Sequence, residues 1–586
     1  MAEAQQAPRR LSNTEVKGKL YRMKDERRNN KRQFLKRYEK LKLEASSWTA
    51  HWRDIADHTL TRRMRLLYDS GRRNWGGKAN SKIINGTGKR ALRILASGMM
   101  SGISSPARPW FRLKLQVEDL MKVEAVREWL HSVETRMRSI FDGSNLYSVL
   151  GMTYRDIGAF GVAAMTIDED DQDVIRCFSL PIGSYVIQNN HRGEVDTIYH
   201  ERWMTVGQIA EQFGLENASE QLKARWMSND IDEQVRILHV IEPNEKYDST
   251  RLGSEGMRYR SVWLEFDGAD VPGEPLFEDN GFNEFPAMVP RWDMTGDDTY
   301  GDCPGMDALG DIRAVQQLEK RKLQAIDKIV TPPMVAPEVL ERKHKSQLAG
   351  DVTYVPNGVG AQKYEPAYLV DGRVVMLREE IEKHEQRILQ AFYADLFLML
   401  ASMNQAQPIT AREVDERHEE KMLQLGPVLE RLHDELLTRI IDRTFEIMLR
   451  RGMVPEPPAE LQGMDLKVEF ISILAQAQKL LGTIAVERLV GFVGSTVAVF
   501  PEAADKIDID ATIDEYAGML GVNPKLVREG VELQRIRDQK AQQAQMAAMA
   551  QMAKPAADAA SAAANLSQAD VNQPGTIDTL VGALTG

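Results

Sequence analysis

MDALGDIRAVQQLEKRKLQAIDKIVTPP, residues 306–333, decides the fold of this chain. Leu309, Ile312, Val315, Leu318, Leu323 and Ile326 recur by threes and fours, the spacing of one apolar helical face, so a helix is predicted from Met306 to Ile329. Thr331-Pro332-Pro333 ends it, because proline removes an N–H and clashes with the preceding turn. A return helix is predicted from Leu377 to Met403, with Leu377, Ile381, Ile388, Phe392, Leu396 and Leu400 in phase. Between them lies an insert with a charged helix at 337–347 and strand-like pieces at 352–355 and 374–375. A polar loop, Asn404 to Pro408, follows. Thr410 with Glu413 has the spacing of a capping box, opening a helix that runs to Arg451 and is broken at Gly426-Pro427. Asp302 to Arg451 thus reads as a long, stiff module with no covalent chemistry in it.

Outward from this module the texture changes twice. Residues 1–160 read as helical, with one helix from Lys82 to Ser101 stopped by the prolines at 106 and 109. Residues 161–303 read as short strands around turns, including Val162–Ile167, Val174–Phe178, Tyr185–Gln188, Asp196–Trp203, Val235–Glu242, Ser261–Phe266 and Ala287–Trp292, with a helix at Val206–Phe213. Helical segments return after Pro455, and from Lys540 the composition narrows to Ala, Gln and Met. The fold class is therefore mainly α with a mixed β region, an α+β chain.

Net charge is -11, yet the segment from Lys17 to Arg112 holds 25 Lys/Arg against 7 Asp/Glu. An acidic whole argues against a protein that grips DNA, since phosphate neutralisation drives that grip. The basic segment fits a solvated face meeting an acidic neighbour as well as it fits nucleic acid. Two cysteines supply no disulfide framework and read as inert thiols. The N-terminus has no apolar stretch of signal-peptide type, and the most apolar run, Leu489 to Phe500, is too short to span a bilayer, so no membrane partner is expected.

No catalytic set emerges. Asn85-Gly86-Thr87-Gly88-Lys89-Arg90 has Ile83 and Arg90 where a phosphate loop needs Gly and Ser/Thr. Asp168 to Asp171 with Asp173 reads as a hairpin turn rather than a calcium loop. The ten histidines do not fall at metal spacing, so neither metal nor cofactor is expected. Trp48 and Trp52 lie among arginines, but on an apolar helical face, which favours burial over base stacking.

Four stretches together resemble one family. They are Ala91 to Gly102 running into Ser105-Pro106-Ala107-Arg108-Pro109-Trp110-Phe111-Arg112-Leu113; residues 304–337 around Thr331-Pro332-Pro333; Thr410 to Leu432; and Asp508-Ile509-Asp510 through Gly521-Val522-Asn523-Pro524. In order and separation they resemble the portal proteins, or head-to-tail connectors, of short-tailed double-stranded DNA phages. The resemblance implies a ring, typically of twelve subunits, at one capsid vertex. It implies a basic helical body at 1–160, a wing at 161–303, stem helices at 304–331 and 373–402, and a clip at 332–372. It further implies a tunnel loop at 403–409, a long kinked helix at 410–464, a crown at 465–535, and a tail at 536–586 that either extends as a barrel-like helix or has no fixed structure.

The function so implied is a channel for DNA packaging and ejection and a platform for other parts of the virion, with no enzymatic activity. The implied partners are double-stranded DNA, the terminase large subunit, tail adaptor proteins, the major capsid protein and scaffold, and internal core or ejection proteins; assembly takes place in the host cytoplasm. Asn404, Gln405, Gln407 and Arg412 are the candidates for sliding contacts with DNA. Glu341, Arg342, Lys343 and Lys345 are the candidates for terminase or adaptor docking, and Gly426 and Pro427 for the helix kink. Another ring-forming head-tail structural or adaptor protein is the alternative.

Overall fold

The computed structural model describes residues 31–63, 83–115, 123–266 (apart from 217 and 252), 278–332, 374–402, 425–458, 466–470, 489–496 and 534–546, with short pieces between them. They divide into two units between Gln478 and Lys479. The larger mixes helices with antiparallel sheets, the α+β class expected.

Helices α1 (31–44) and α2 (Ser46–His58) carry the predicted apolar stripe inward: Phe34, Leu35, Tyr38, Leu41, Trp52 and Ile55 are all buried. Trp52 donates its indole N–H to the Phe160 carbonyl at 2.9 Å, so it belongs to the core and is no stacking platform. Helix α3 (Thr87–Ile103) starts later than the spacing from Lys82 predicts. Asn85 Oδ1 accepts the Thr87 N–H, a local turn that competes with helix, and Ile84 stays 45% exposed. After the prolines comes a strand that local pattern did not reveal, β1 (Phe111–Leu115); its partner is Leu466–Phe470, far away in sequence. Helices α4 (Glu124–Gly143) and α5 (Leu146–Phe160) follow. Gly161 ends α5 at φ 75°, and a Cβ there would collide with the Gly301 carbonyl, so glycine is required twice over.

The β region has two sheets. Strands β2 (Ala164–Asp170), β3 (Val174–Leu180) and, later in the chain, β9 (Ala287–Met288) form one, in the order β3-β2-β9. The turn starts three residues later than the aspartate run suggests: the strand persists through Asp170, whose Oδ2 accepts the N–H groups of Gln172 and Asp173. Strands β4 (Tyr185–Asn189), β5 (Val195–Thr205), β6 (Gln234–Pro243), β7 (Tyr259–Glu265) and β8 (Glu278–Phe282) form a five-stranded antiparallel meander in sequence order. Helix α1 lies on it, with Arg37 paired to Glu242 at 2.7 Å and Tyr38 donating to Glu201 at 2.8 Å. Helices α6 (Val206–Phe213) and α7 (Glu220–Met227) sit between β5 and β6 over a small core of Met204, Val206, Ile209, Leu222 and Ile237. A capping box between Thr205 and Gln208 starts α6 at the predicted residue.

The deciding stretch folds as read. A turn at Pro304–Asp307 leads into α8 (Leu309–Val330). Strands β10 (Met334–Val335) and β11 (Glu365–Pro366) pair antiparallel at the neck of the insert. The return helix is two helices, α9 (Val374–Ala391) and α10 (Ala394–Ser402), separated at Tyr393, whose φ is 53°. Both halves pack on α3, and α9 lies along α8 as well. Helix α11 is helical from 425 to 450. Strand β12 (Leu466–Phe470) completes the pair with β1. In the second unit, residues 489–496 and 534–546 are helical, and Arg537 makes a bidentate pair with Asp510 at 2.6 and 2.7 Å.

Candidate functional site at the root of the helical hairpin

Helices α8 and α9 form an antiparallel hairpin whose lower half is fixed and whose upper half is bare. At 22 residues α8 is about 33 Å long. Near its start Ile312 and Val315 are 1% exposed, and on α9 Ile381 and Ile388 are buried opposite them. Towards the insert the same apolar pattern continues, yet Leu323, Ile326, Ile329 and Val330 on α8 and Val375 and Met376 on α9 are 43–72% exposed. Exposed apolar side chains with no cover among the described residues mark a contact surface.

What fixes the root is α3, through glycines. A Cβ on Gly88 would stand 2.9 Å from Ile312 Cδ1 of α8. One on Gly98 would overlap Cγ of Phe397 on α10 and stand 2.7 Å from its Cβ. On its other side α3 presses Leu95 onto Gly158 of α5, where a Cβ would stand 2.6 Å from Leu95 Cδ2. The absence of side chains at these positions lets three helices approach α3 closely.

Polar groups set the register of the hairpin. The Ile84 and Asn85 N–H groups both donate to Gln316 Oε1, at 2.7 and 2.9 Å, and Gln316 Nε2 donates back to the Asn85 carbonyl at 2.7 Å. Asn85 Nδ2 and Thr87 Oγ1 donate to Glu385 Oε1 at 2.7 and 3.0 Å. Residues 84–87 therefore hold one side chain from each helix. Beside this clasp His384 Nδ1 lies 2.6 Å from Asp311 Oδ1, and Arg387 reaches the same oxygen at 3.4 Å. The Asn85–Thr87 turn that superficially suggested phosphate binding grips glutamine and glutamate side chains instead.

Helix α11 attaches to the sheets by arginines. Arg443, 4% exposed, donates to Glu284 at 2.5 Å and to the Ile167 carbonyl at 3.5 Å. Arg450 and Arg451 reach Glu284, Glu169 and Asp171. Arg291, also 4% exposed, holds Glu435 through its backbone N–H at 2.9 Å and Nε at 3.1 Å.

Between the sheets lies a cavity of about 300 Å³ lined by Asp168, Ser179, His200, Arg202, His239 and Trp263 among others. His239 stacks on Trp263 with ring centroids 3.7 Å apart. Burial lowers His200 to about 3 and lowers His239 as well, so both rings are neutral at pH 7. Both cysteines are buried; burial pushes the Cys177 thiol up to about 12 and the Cys303 thiol up also, which keeps them protonated and unreactive. Among the described residues no three His, Cys, Asp or Glu side chains could share a metal ion, and no helix is long and apolar enough to cross a membrane.

Asn404, Gln405, Gln407 and Arg412, and likewise Glu341, Arg342, Lys343 and Lys345, lie outside the described residues. Gly426 and Pro427 stand in the first described turn of α11, which opens at Leu425, and residues 403–424 lie outside the description. The residues that sequence reasoning missed are Asn85, Gln316, Glu385, Arg291 and Glu435. Each has its partner more than 100 positions away, so no local spacing announces it.

The family model for the bacteriophage head to tail connecting protein matches residues 31–527. The portal protein of Salmonella phage epsilon15 is 44% identical over 513 residues, covering 87% of this chain and 91% of that protein. The probable portal protein of Bordetella phage BPP-1 is 40% identical over 507 residues, covering 86% and 90%. Two solved structures of gene transfer agent particles, a native virion and the neck of an empty particle, align over 79% and 80% of the chain. Both do so at 12% identity and a TM-score of 0.35, too low to carry an argument. On the family match and the near full-length identity to two portal proteins, the chain belongs to the bacteriophage head-to-tail connecting proteins, the portal proteins of phage virions.

Proposed function

We propose that this portal protein forms a ring, of about twelve subunits by family resemblance, at the unique capsid vertex, where DNA enters during packaging and leaves at ejection. The observation that carries the reading is the 40–44% identity to phage portal proteins across about nine-tenths of their length. Residues 161–303 serve as wing, 304–331 and 373–402 as stem, 332–372 as clip, 403–409 as tunnel loop, 410–464 as long kinked helix and 465–535 as crown.

The bare upper half of the hairpin supports a ring. A closed ring uses two different faces of each subunit. Here the exposed Leu323 and Ile326 of α8 and Val375 of α9 offer apolar surface to a neighbouring hairpin, framed by exposed charges of both signs such as Arg321, Glu379 and Arg387. A net charge of -11 keeps phosphates off the conduit wall, while Asn404, Gln405, Gln407 and Arg412 supply weak contacts that let DNA slide. Glu341, Arg342, Lys343 and Lys345 form the docking surface for the terminase large subunit and later the tail adaptors. Gly426-Pro427 turns the long helix away from the channel. The basic body meets major capsid protein, scaffold or a neighbouring subunit, internal core or ejection proteins approach from the capsid interior, and assembly occurs in the host cytoplasm.

Native mass spectrometry and negative-stain imaging of the purified chain test this. A closed ring with an axial hole is expected; a monodisperse monomer at every concentration would overturn the reading.

A further inference from the structure

Within α11 the turn from His433 to Thr438 is π-helical, wider than the α-helix on either side. Such turns carry one residue more than the α-helix needs, have poorer hydrogen-bond geometry, and cluster at functional positions. The attachments of the helix differ on its two sides. From Arg439 onward it is tied down by directional bonds: Arg439 to the Val195 carbonyl, Arg443 to Glu284, Arg450 to Glu284 and Arg451 to Glu169. From 425 to 432 the buried groups are Leu425, Val428, Leu429 and Leu432, and among the described residues no ion pair ties this half to the sheets. Nη1 of Arg431 is buried there without a hydrogen-bond partner. Aliphatic contact is non-directional and tolerates sliding, whereas bonded arginines do not.

We propose that the π turn is a register switch: residues 425–432 can advance by one residue relative to the fixed half 439–450 as the wide turn tightens to α-helix. One residue corresponds to about 1.5 Å of translation and about 100° of rotation of that half; the rotation carries the buried Leu425, Val428, Leu429 and Leu432 off their present contacts, which makes the advanced register the minor one. The catch is Arg291. Its guanidinium and backbone N–H hold Glu435 inside the π turn, and the same side chain bonds Asn189 Oδ1 at 3.2 Å and the Gly193 carbonyl at 2.9 Å in the β4–β5 turn. The β4–β5 turn thereby senses which register the helix occupies. The paired-charge geometry of the catch is satisfied only while Glu435 stands where the wide turn places it. This device is independent of copy number and of which partners bind.

The test uses the full chain in its assembled state. Spin labels at Glu430→Cys and Arg192→Cys, both exposed, report the distance across the catch, with labelled subunits diluted in unlabelled ones. The native cysteines are buried. Two distance populations are expected, and Glu435→Gln, which keeps a neutral acceptor, should enlarge the minor one about tenfold. A control pair at Leu449→Cys and Arg192→Cys should keep one distance. Hydrogen exchange gives a second reading: amides of 433–438 should exchange about tenfold faster in Arg291→Gln, and those of 443–448 unchanged. A single unmoved distance for the first pair in both backgrounds would overturn the proposal. So would equal acceleration along the whole helix, because that is general loosening rather than a switch.

Discussion

Replacing Gly98 with alanine should loosen the joint between α3 and the hairpin. The added methyl would overlap Phe397 Cγ and stand 2.7 Å from its Cβ, where carbon atoms need about 3.5–4.0 Å. Phe397 is 6% exposed and cannot swing into solvent, so the ring or the whole of α10 must move by about 1 Å or more. Overpacking of this kind costs about 1–3 kcal/mol, and a methyl fixed to a helix backbone belongs at the upper end. Alanine returns about 0.8–1 kcal/mol through helix propensity. The net of about 2 kcal/mol corresponds to roughly 30-fold faster opening. Hydrogen exchange of the slow amides in 87–103 reads it directly. Gly151→Ala is the control, because nothing lies within 4 Å of a Cβ there: the same chemical change should leave its helix equally or better protected. Phe397→Ala should relieve the clash, so the double variant should cost less than the sum of the single ones. If Gly98→Ala exchanges as the wild type does, close approach of α10 is not what the glycine provides.

Two further outcomes are expected. Ile326→Glu changes a side chain 43% exposed in the single chain, so subunit melting should shift little while ring formation, followed by native mass spectrometry, is lost; intact rings would remove the hairpin from the subunit contact. His200 is held neutral in the fold with a value near 3, whereas in the unfolded chain it protonates near 6.5; the unfolded state therefore binds more protons as pH falls from about 6.5 towards 3, and stability drops across that window. His200→Gln should flatten the acid side of the stability profile measured by denaturant unfolding, and an unchanged acid slope would show that other groups dominate it.

Much of the architecture was legible because it is periodic. The hairpin helices, the helix at Val206–Phe213 and the β2–β3 and β4–β5 pairs follow from spacing alone, since burial of one face imposes period 3.6 or 2. Two helix errors share one cause. The return helix breaks at Tyr393 and α3 starts at Thr87 because partners far away in sequence claim those backbones: Phe397 must reach Gly98, and Gln316 takes the amides of 84 and 85. Strand β1 was invisible for the same reason, as its ladder closes on residues 466–470.

By itself the sequence determined the hairpin, the order of helical and β regions, and through its motifs the portal family. Only the tertiary structure decided which residues hold the hairpin in place and where the long helix departs from α geometry. Spacing reports which face of an element is buried, but not against what; the glycines of α3, the clasp at 84–87 and the Arg291–Glu435 pair exist only once distant segments meet.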